Sequence, residues 1–554
     1  GELREASKRG ARIVSFNPLR ERGLERFADP QSKMEMATLG STPISSHYFQ
    51  LRVGGDMAVV KGMAKHLLER HDAGEDVLDA AFIAEHTAGF EALAADLRAE
   101  SWDLIVQESG LTQEQVRQAA DVYLGADKAI FCWGMGITQH MHSVATIQMM
   151  GNLLMMRGNV GRPGAGFCPV RGHSNVQGDR TMGIWEKPPA ALLDRLGSVF
   201  GFEPPRQDGY DTVEAIQAML DGKGRVFFAL GGNFAAATPD TYATWRALRQ
   251  CELTVHVATK LNRSHVVHGQ AALILPCLGR TEIDVQAGGP QGVTVEDSMS
   301  MVHISAGINP PASEHLLSEP AIVARLAAAT LQGRSHTPWL WLIEDYARIR
   351  DKIEAVFDDF KDFNARVAVP GGFRLRNTAS ERVWKTPNGK ATFFTHPVPR
   401  DTPTHRARRA MRDRQRDTLV FTLLTTRSHD QYNTTIYGMD DRYRGVFGQR
   451  RVVFIHPEDI RALGMKDGDW VDLHTVWDDG QERQADGFKL VAYDIPRGNL
   501  AAYYPETNPL VPLSATAIAA GTPTSKAIPV LLVPHAVQGA APESGYRADA
   551  AVPA

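Results

Sequence analysis

The chain has 554 residues, of which 43% are hydrophobic and 22% charged, with 49 glycines and 31 prolines; this is the composition of folded, water-soluble domains, and it excludes collagen-like, low-complexity and largely disordered classes. At about 150 residues per domain the length predicts three or four domains. Sixty Lys and Arg against 64 Asp and Glu leave a net charge of -4, so no global field draws the chain to nucleic acid or to an anionic membrane, and no apolar run reaches the roughly 18 residues of a membrane span.

The opening GELREASKRG reads as the tail of an amphipathic helix, followed by a basic turn and an apolar strand over 11–16 that ends at Asn17-Pro18. A chain entered in mid-fold is expected, with a helix and a strand upstream and no signal-peptide pattern. Residues 54–70 start Gly-Gly-Asp and then carry apolar positions at helical spacing. Helical segments are expected from Asp79 to Tyr123, a strand over Lys128 to Trp133, a Gly-rich turn, and a Met-rich helix from Ser143 to Met156.

The same alternation returns downstream. It predicts a helix over Thr212 to Leu220, a strand over Val226 to Leu230, a turn at Gly231-Gly232-Asn233, and a helix over Pro239 to Arg249. A strand over Leu253 to Ala258, a helix over Asn262 to His268 and a strand over Ala272 to Leu275 follow. Strand-helix alternation implies a parallel sheet with helices on both faces. After Pro338 the text is helical to about Ala365, then irregular into the basic stretch at 400–416, which reads as a solvated linker. From Leu419 short alternating segments separated by turn residues predict a compact β-barrel.

Cys132, Cys168, Cys251 and Cys277 show no CxxC spacing, so no disulfide framework, zinc site or iron–sulfur set is expected from this chain, and a reducing, cytoplasmic compartment is expected. His140 with His142, and His265 with His268, lack a third ligand at metal spacing, so no metal-ligating residues are assigned. The stripe of Met149, Met150, Met155 and Met156 reads as supple core packing.

Asn17 and Arg20, just past the first strand, suit either a nucleotide's base or ribose or a plain polar strand-to-helix turn. Gly134 and Gly136 allow close backbone approach to a phosphate, and equally form a tight turn. The most informative run is Arg157 to Gly183, which holds seven glycines, four arginines (Arg157, Arg162, Arg171 and Arg180), two asparagines and a glutamine. Guanidinium groups and Gly-exposed amides in one stretch can neutralise several phosphates or a carboxylate. A mobile loop accounts for the glycines but not for Arg171, Asn175 and Gln177 interleaved with Val170 and Val176.

The runs GMGITQH (134–140), GNLLMMRGNVGRPGAGFCPVRGHSNVQGD and NPLRERGLERF (17–27) resemble molybdopterin-dependent formate dehydrogenases of the dimethyl sulfoxide reductase superfamily. HSNVQGDRTMG is most similar to the formate-dehydrogenase-like YdeP branch. The resemblance extends over nearly the whole chain. It implies an α/β fold with two parallel-sheet, Rossmann-like domains, the remainder of the first at 1–171 and the second at 172–399. After the basic linker at 400–416, a C-terminal double-psi-type β-barrel is expected at 417–545.

The resemblance further implies a bis-molybdopterin guanine dinucleotide cofactor carrying molybdenum or tungsten. A four-iron four-sulfur (4Fe-4S) cluster and a metal-ligating Cys or Sec would lie upstream of residue 1, so the chain alone is expected to be inactive. Arg171 matches the arginine that steers the formate carboxylate, a task for a fixed bidentate donor. His173 stands where formate dehydrogenases usually have Gln, which changes the proton inventory and the shape of the pocket. Asn175 and Gln177 share that loop. Gly231, Gly232 and Asn233, with the stretch from His256 to Lys260, match one guanine-nucleotide arm; Asn17, Arg20, Gly55 and Asp56 match the other. Thr425, Thr426, Arg427, Ser428, His429, Asp430 and Gln431 resemble the loop that closes over the pterins, with Asn508 and Lys526 at later turns. The expected partners are a small anion such as formate and an electron-acceptor protein or subunit. A reductase of an oxyanion or N-oxide, and a metal-free scaffold subunit, stay open as alternatives.

Overall fold

In the computed structural model, which describes residues 1–38, 40–414, 419–434 and 436–536, the backbone is α/β with parallel sheets and a closed barrel near the C-terminus, as the sequence predicts. Two compact units emerge. One comprises 1–130, 135–166 and 386–554, and the other 131–134 and 167–385.

The first unit opens with β1 (Val14–Phe16) paired in parallel with β2 (His47–Phe49). Gly54, at φ +83°, turns the chain into α1 (Asp56–Asp72), whose buried face includes Met57, Met63, Leu67 and Leu68. Lys61 on this helix is fully buried, and its ammonium is paired with Asp96 at 2.9 Å and Glu100 at 2.7 Å. The expected helical stretch resolves into four helices, Ala80–His86, Phe90–Ala99, Trp102–Ser109 and Gln113–Leu124. Strand β3 (Ile130–Trp133) precedes α2 (Ser143–Met156), whose Met149, Met150, Met155 and Met156 are all buried, as core packing requires. Strand β4 (Gly166–Pro169) pairs with β3; residues 131–134 of β3 and the chain from residue 167 on, with the arginine-bearing loop and the short helix α3 (Val176–Thr181), belong to the second unit.

In the second unit β5 (Val226–Leu230), α4 (Thr241–Gln250), β6 (Leu253–Ala258) and β7 (Ala271–Pro276) form a three-stranded parallel sheet with β6 in the centre. The sheet is not covered on both faces as expected: Val226, Phe228 and Leu230, alternate residues of β5, are exposed. The helix expected over 262–268 is only a 3-10 turn, Arg263–His265. The chain then passes close to the start of β6 at Gly269, whose amide donates to the Thr254 hydroxyl at 3.3 Å and where a Cβ would lie 2.3 Å from the Cys251 carbonyl oxygen. Residues 284–305, whose sequence carries no clear element pattern, form antiparallel hairpins.

Most of the stretch 400–416, expected as a solvated linker, is a packed helix. Residues Pro403–Asp413 form helix α5, with the Thr402 hydroxyl accepting from the His405 amide at its start and Pro403, Thr404, Ala407 and Met411 on its buried face. Residues 415 and 416 lie outside the described residues. Six strands then close the barrel: β8 (Phe421–Thr426), β9 (Val452–Ile455), β10 (Trp470–Thr475), β11 (Gln484–Ala492), β12 (Asn499–Tyr503) and β13 (Ile528–Pro534). Their order around it is β8, β12, β9, β11, β10, β13, with β8 parallel to β12 and β9 parallel to β11. Leu423, Val453, Phe488, Leu500 and Val530 fill its interior, and each such side chain contributes about 1.5–3 kcal/mol by leaving water. Residues 417–418 and 537–545 of the expected barrel lie outside the described residues.

Candidate functional site

Within the first unit, a cavity of about 870 Å³ opens where the Gly54-Asp56 turn, the segment around His140, helix α5 and the barrel ends of β8 and β12 meet. That volume suits a nucleotide-sized ligand. Arg52, Arg400, Arg408, Arg409, Arg412 and Arg497 line it, against the carboxylates of Asp56, Glu108 and Asp459. Two of these cations donate to neutral acceptors, Arg408 to the Val420 carbonyl at 3.2 Å and Arg52 to the Gln107 carbonyl at 2.7 Å, whereas Arg409 pairs with Asp401 and Arg497 with Asp459 at 2.9 Å. Burial, and then Arg52, push Arg408 below its ordinary pKa.

Gly55 sits where a side chain has no room, because a Cβ would lie 2.8 Å from the Glu108 carbonyl oxygen and 3.0 Å from the Ser109 backbone. The next residue, Asp56, is half-buried at the first turn of α1, and burial pushes its carboxyl up to about 7 against the pull of its own amide. His140 also lines the cavity. Its imidazole donates to the Gly136 carbonyl, and burial, followed by the charge of Lys526, pushes it down to about 4.

The barrel loop contributes Lys526, whose ammonium donates to the Thr425 hydroxyl at 3.1 Å and to the Thr425 carbonyl. Burial, and then Arg427, push it down to about 7. Arg427 is exposed and lies over the Tyr504 ring at 5.9 Å. The structure thus brings Lys526, Arg427, Thr425 and His140 together. Other members of the loop are occupied in holding it. Ser428 accepts from Arg450 at 2.7 Å and Gln431 accepts from it at 2.9 Å, while His429 stacks on Tyr443 at 3.6 Å. Thr426 accepts from Arg444 at 3.4 Å, and buried Asn508 hydrogen-bonds Tyr504. Asp430 is exposed.

Asn17 donates to the Tyr48 hydroxyl at 3.3 Å, and Arg20 lies 5.1 Å over the Tyr48 ring with Glu25 at 3.1 Å. Neither lines the cavity that holds Asp56. Of the four arginines in the Gly-rich run, Arg157 is used by the Val77, Leu124 and Ala126 carbonyls and Arg162 by Asp127 at 2.6 Å.

In the second unit Arg171 is exposed just past β4, with its guanidinium donating to the Gln177 side-chain oxygen at 3.0 Å. His173 is exposed on the same loop. Asn175 ties the loop down, donating to Asp179 at 3.2 Å and accepting from the Glu296 amide at 3.0 Å. Gly134 runs close beside the loop, and a Cβ there would lie 3.7 Å from the Val170 oxygen. Farther along, Gly231 and Gly232 hold positive φ of 72° and 76° at the end of β5. Asn262 donates to the Gly232 carbonyl at 2.8 Å, and Ser264 to the Asn233 side chain at 3.2 Å. His256 is buried within β6, and Lys260 lies exposed beyond its end.

The sequence reading missed the cation-lined wall on α5, Asn499, which accepts from the Val53 amide at 3.0 Å, and the two buried arginines Arg444 and Arg450. A Thr cap followed by Pro and a one-sided apolar stripe signals α5; nothing local signals the others.

Residues 13–312 match the family model "Molybdopterin oxidoreductase", and residues 421–529 match "Molydopterin dinucleotide binding domain". The chain belongs to the molybdopterin oxidoreductase family. It is 48% identical over 539 residues to Protein YdeP of Escherichia coli, a match covering 96% of this chain and 70% of that protein. To formate dehydrogenase H of E. coli it is 28% identical over 260 residues, 45% of this chain and 33% of that one. In fold it is similar to acetylene hydratase from Pelobacter acetylenicus, with a TM-score of 0.62 at 15% identity, covering 96% of this chain and 75% of that chain. Among the described residues no helix is long and apolar enough to cross a membrane.

The residues present fit the dinucleotide such a molybdopterin oxidoreductase binds. A half-buried lysine lowered toward neutrality beside a guanidinium, on the loop that gives Thr524 and Ala527 to a cavity lined by six arginines, has the electrostatics of an anion site. A pyrophosphate placed there would relieve the repulsion and satisfy donors that now have neutral acceptors. Gly54-Gly55 and the start of α1 add backbone amides and a helix N-terminus of the polarity an anion needs.

Proposed function

We propose that this chain is the cofactor-binding body of a formate-dehydrogenase-like molybdenum or tungsten enzyme. In this reading it oxidises a small anion by two electrons and passes them singly to a 4Fe-4S cluster and on to an acceptor protein or subunit, in the cytoplasm. Each unit holds one guanine arm. In the first unit Lys526, Arg427 and the arginines of the cavity take the phosphates. In the second, Gly231, Gly232 and Asn233, with Lys260 beyond β6, receive the other arm. The bound group, when present, supplies the two-electron redox centre.

The observation that carries the substrate class is the exposed Arg171 guanidinium, held at 3.0 Å by Gln177 at the carboxyl end of β4. A planar, permanently charged fork fixed by one neighbour keeps its remaining donors for a carboxylate. Formate would leave as carbon dioxide with one proton and two electrons released. His173, two residues from the anchor and exposed, is placed to accept that proton on an imidazole nitrogen. Asn175 and Gln177 then act on the substrate through the loop they hold.

His173 in place of the usual Gln favours a second reading, in which the same centre reduces an oxyanion or N-oxide and the imidazole delivers the proton. A turnover assay of the full-length enzyme separates the two, using formate with a dye acceptor and, in parallel, oxyanions with a reduced dye. Formate-dependent dye reduction supports the oxidase reading. Turnover with an oxyanion alone overturns it.

A further inference from the structure

Two cysteines far apart in sequence face each other across β3 and β4. The Gly166 amide donates to the Ala129 carbonyl at 2.9 Å and the Val170 amide to the Trp133 carbonyl at 2.7 Å, so both strands run the same way with a fixed register. In a parallel ladder these two bonds bracket the opposed residues and set Cys132 directly across from Cys168. Opposed residues point to the same face, and neighbouring strands lie about 4.8 Å apart. That is inside the roughly 4.4–6.8 Å Cα separation a disulfide spans.

The thiols already interact. Cys132 hydrogen-bonds Cys168, and burial of its sulfur, followed by the charge and hydrogen bond at Cys168, holds its thiol well above the ordinary range. Cys132 as a residue is nonetheless exposed and Cys168 is half-buried, so a small oxidant can reach the pair, whereas Cys251 and Cys277 are buried. The place is also distinctive. The carboxyl end of β3 carries Gly134 and that of β4 carries Arg171, so a bond between the strands would fix the two backbones that lead to the proposed anion anchor.

We propose that Cys132 and Cys168 form a reversible oxidation site, a dithiol that a peroxide converts into a cross-strand disulfide. One thiolate attacks a peroxide oxygen, breaking the O–O bond to give a sulfenic acid and a first water once the leaving hydroxide is protonated. The second thiolate then attacks that sulfur, forming the S–S bond and expelling the hydroxyl as a second water. The two thiols lose two electrons and two protons, and one peroxide takes up both. Because the thiolate is the reacting form, the rate rises with pH above neutrality.

The test treats the folded full-length protein with hydrogen peroxide, blocks remaining thiols with N-ethylmaleimide and maps tryptic peptides without reduction. Cys132 lies in peptide 129–157 and Cys168 in 158–171, since the Arg162-Pro163 bond resists cleavage. The expected result is these two peptides joined with the loss of two hydrogens, formed faster at about pH 8.5 than at pH 7 and released by dithiothreitol. The joined peptides should persist in Cys251→Ser and Cys277→Ser and vanish in Cys132→Ser. Recovery of both peptides singly, whether alkylated or carrying sulfinic acids, overturns the proposal, and so does joining that appears only after denaturation in urea. The wild-type map alone decides if Cys132→Ser fails to fold.

Discussion

Lys526 donates to the Thr425 hydroxyl at 3.1 Å in a site where burial and the neighbouring Arg427 push its ammonium down to about 7. An unfolded lysine titrates near 10.4, so between about pH 7 and pH 10 the unfolded chain binds more protons than the folded one. Stability of the ligand-free protein carried by this group therefore rises across that window. Binding of a pyrophosphate runs the other way, because it favours the charged form and draws in a proton. Calorimetric titration with GDP in two buffers of different ionisation enthalpy should show proton uptake above pH 7 and an affinity that falls toward pH 9. Lys526→Met should remove that pH dependence and weaken binding about tenfold, the scale of one charge-assisted hydrogen bond.

Gly55→Ala tests the close backbone approach at the start of α1. The added Cβ meets the Glu108 carbonyl oxygen at 2.8 Å and Ser109 backbone atoms at 3.0 Å, none of which is the end of a flexible side chain. The expected cost is about 1–3 kcal/mol, read as a lower urea midpoint with an unchanged slope. An unchanged midpoint would show that the turn yields without cost.

Arg450 is buried beneath the loop at 425–431 and pairs with Glu506 at 2.6 Å while donating to Ser428 and Gln431. Removing one partner of a buried pair strands the other charge, so Arg450→Met should destabilise by about 3–5 kcal/mol. The double variant with Glu506→Gln should recover part of the loss. Chemical denaturation of Arg450→Met, Glu506→Gln and the double variant measures these effects, and additivity of the two single costs would contradict the pairing.

Arg171→Lys keeps the charge and loses the planar fork, and Arg171→Ala loses both. With the true anionic substrate, kcat/KM should fall about 10-fold to 100-fold in the alanine variant, the range for a lost charged hydrogen bond, and the lysine variant should recover only part of it. Steady-state kinetics with cofactor content measured alongside separate a lost anchor from lost cofactor.

The elements most legible in the sequence were those whose local pattern and tertiary role agree. Strands 226–230 and 253–258 and helices 143–156 and 212–220 have the bounds expected, because an apolar run ends at a Gly turn or a period of helical spacing is uninterrupted. Helix α5 is hard to see in the sequence because its four arginines mask a buried stripe of Pro403, Thr404, Ala407 and Met411. Among the candidate site residues, Asp56 and Lys526 are legible only through motif resemblance, and their displaced pKa values arise from burial, which no spacing reveals. Arg20 shows the converse. Its position past β1 suits a nucleotide, yet Tyr48, Glu25 and Asp494 surround its guanidinium. The opposition of Cys132 and Cys168 depends on strand register, a property of the folded backbone alone.

On the proposed function, these cationic sites hold a guanine-dinucleotide pterin cofactor carrying a redox metal. The direct measurement is metal analysis of the purified full-length protein together with guanine nucleotide released by acid. Molybdenum or tungsten is expected, with about two guanosine monophosphates released per metal atom. Protein that folds normally yet contains neither metal nor guanine nucleotide, when isolated from cells that assemble the cofactor, would contradict it and favour a metal-free scaffold.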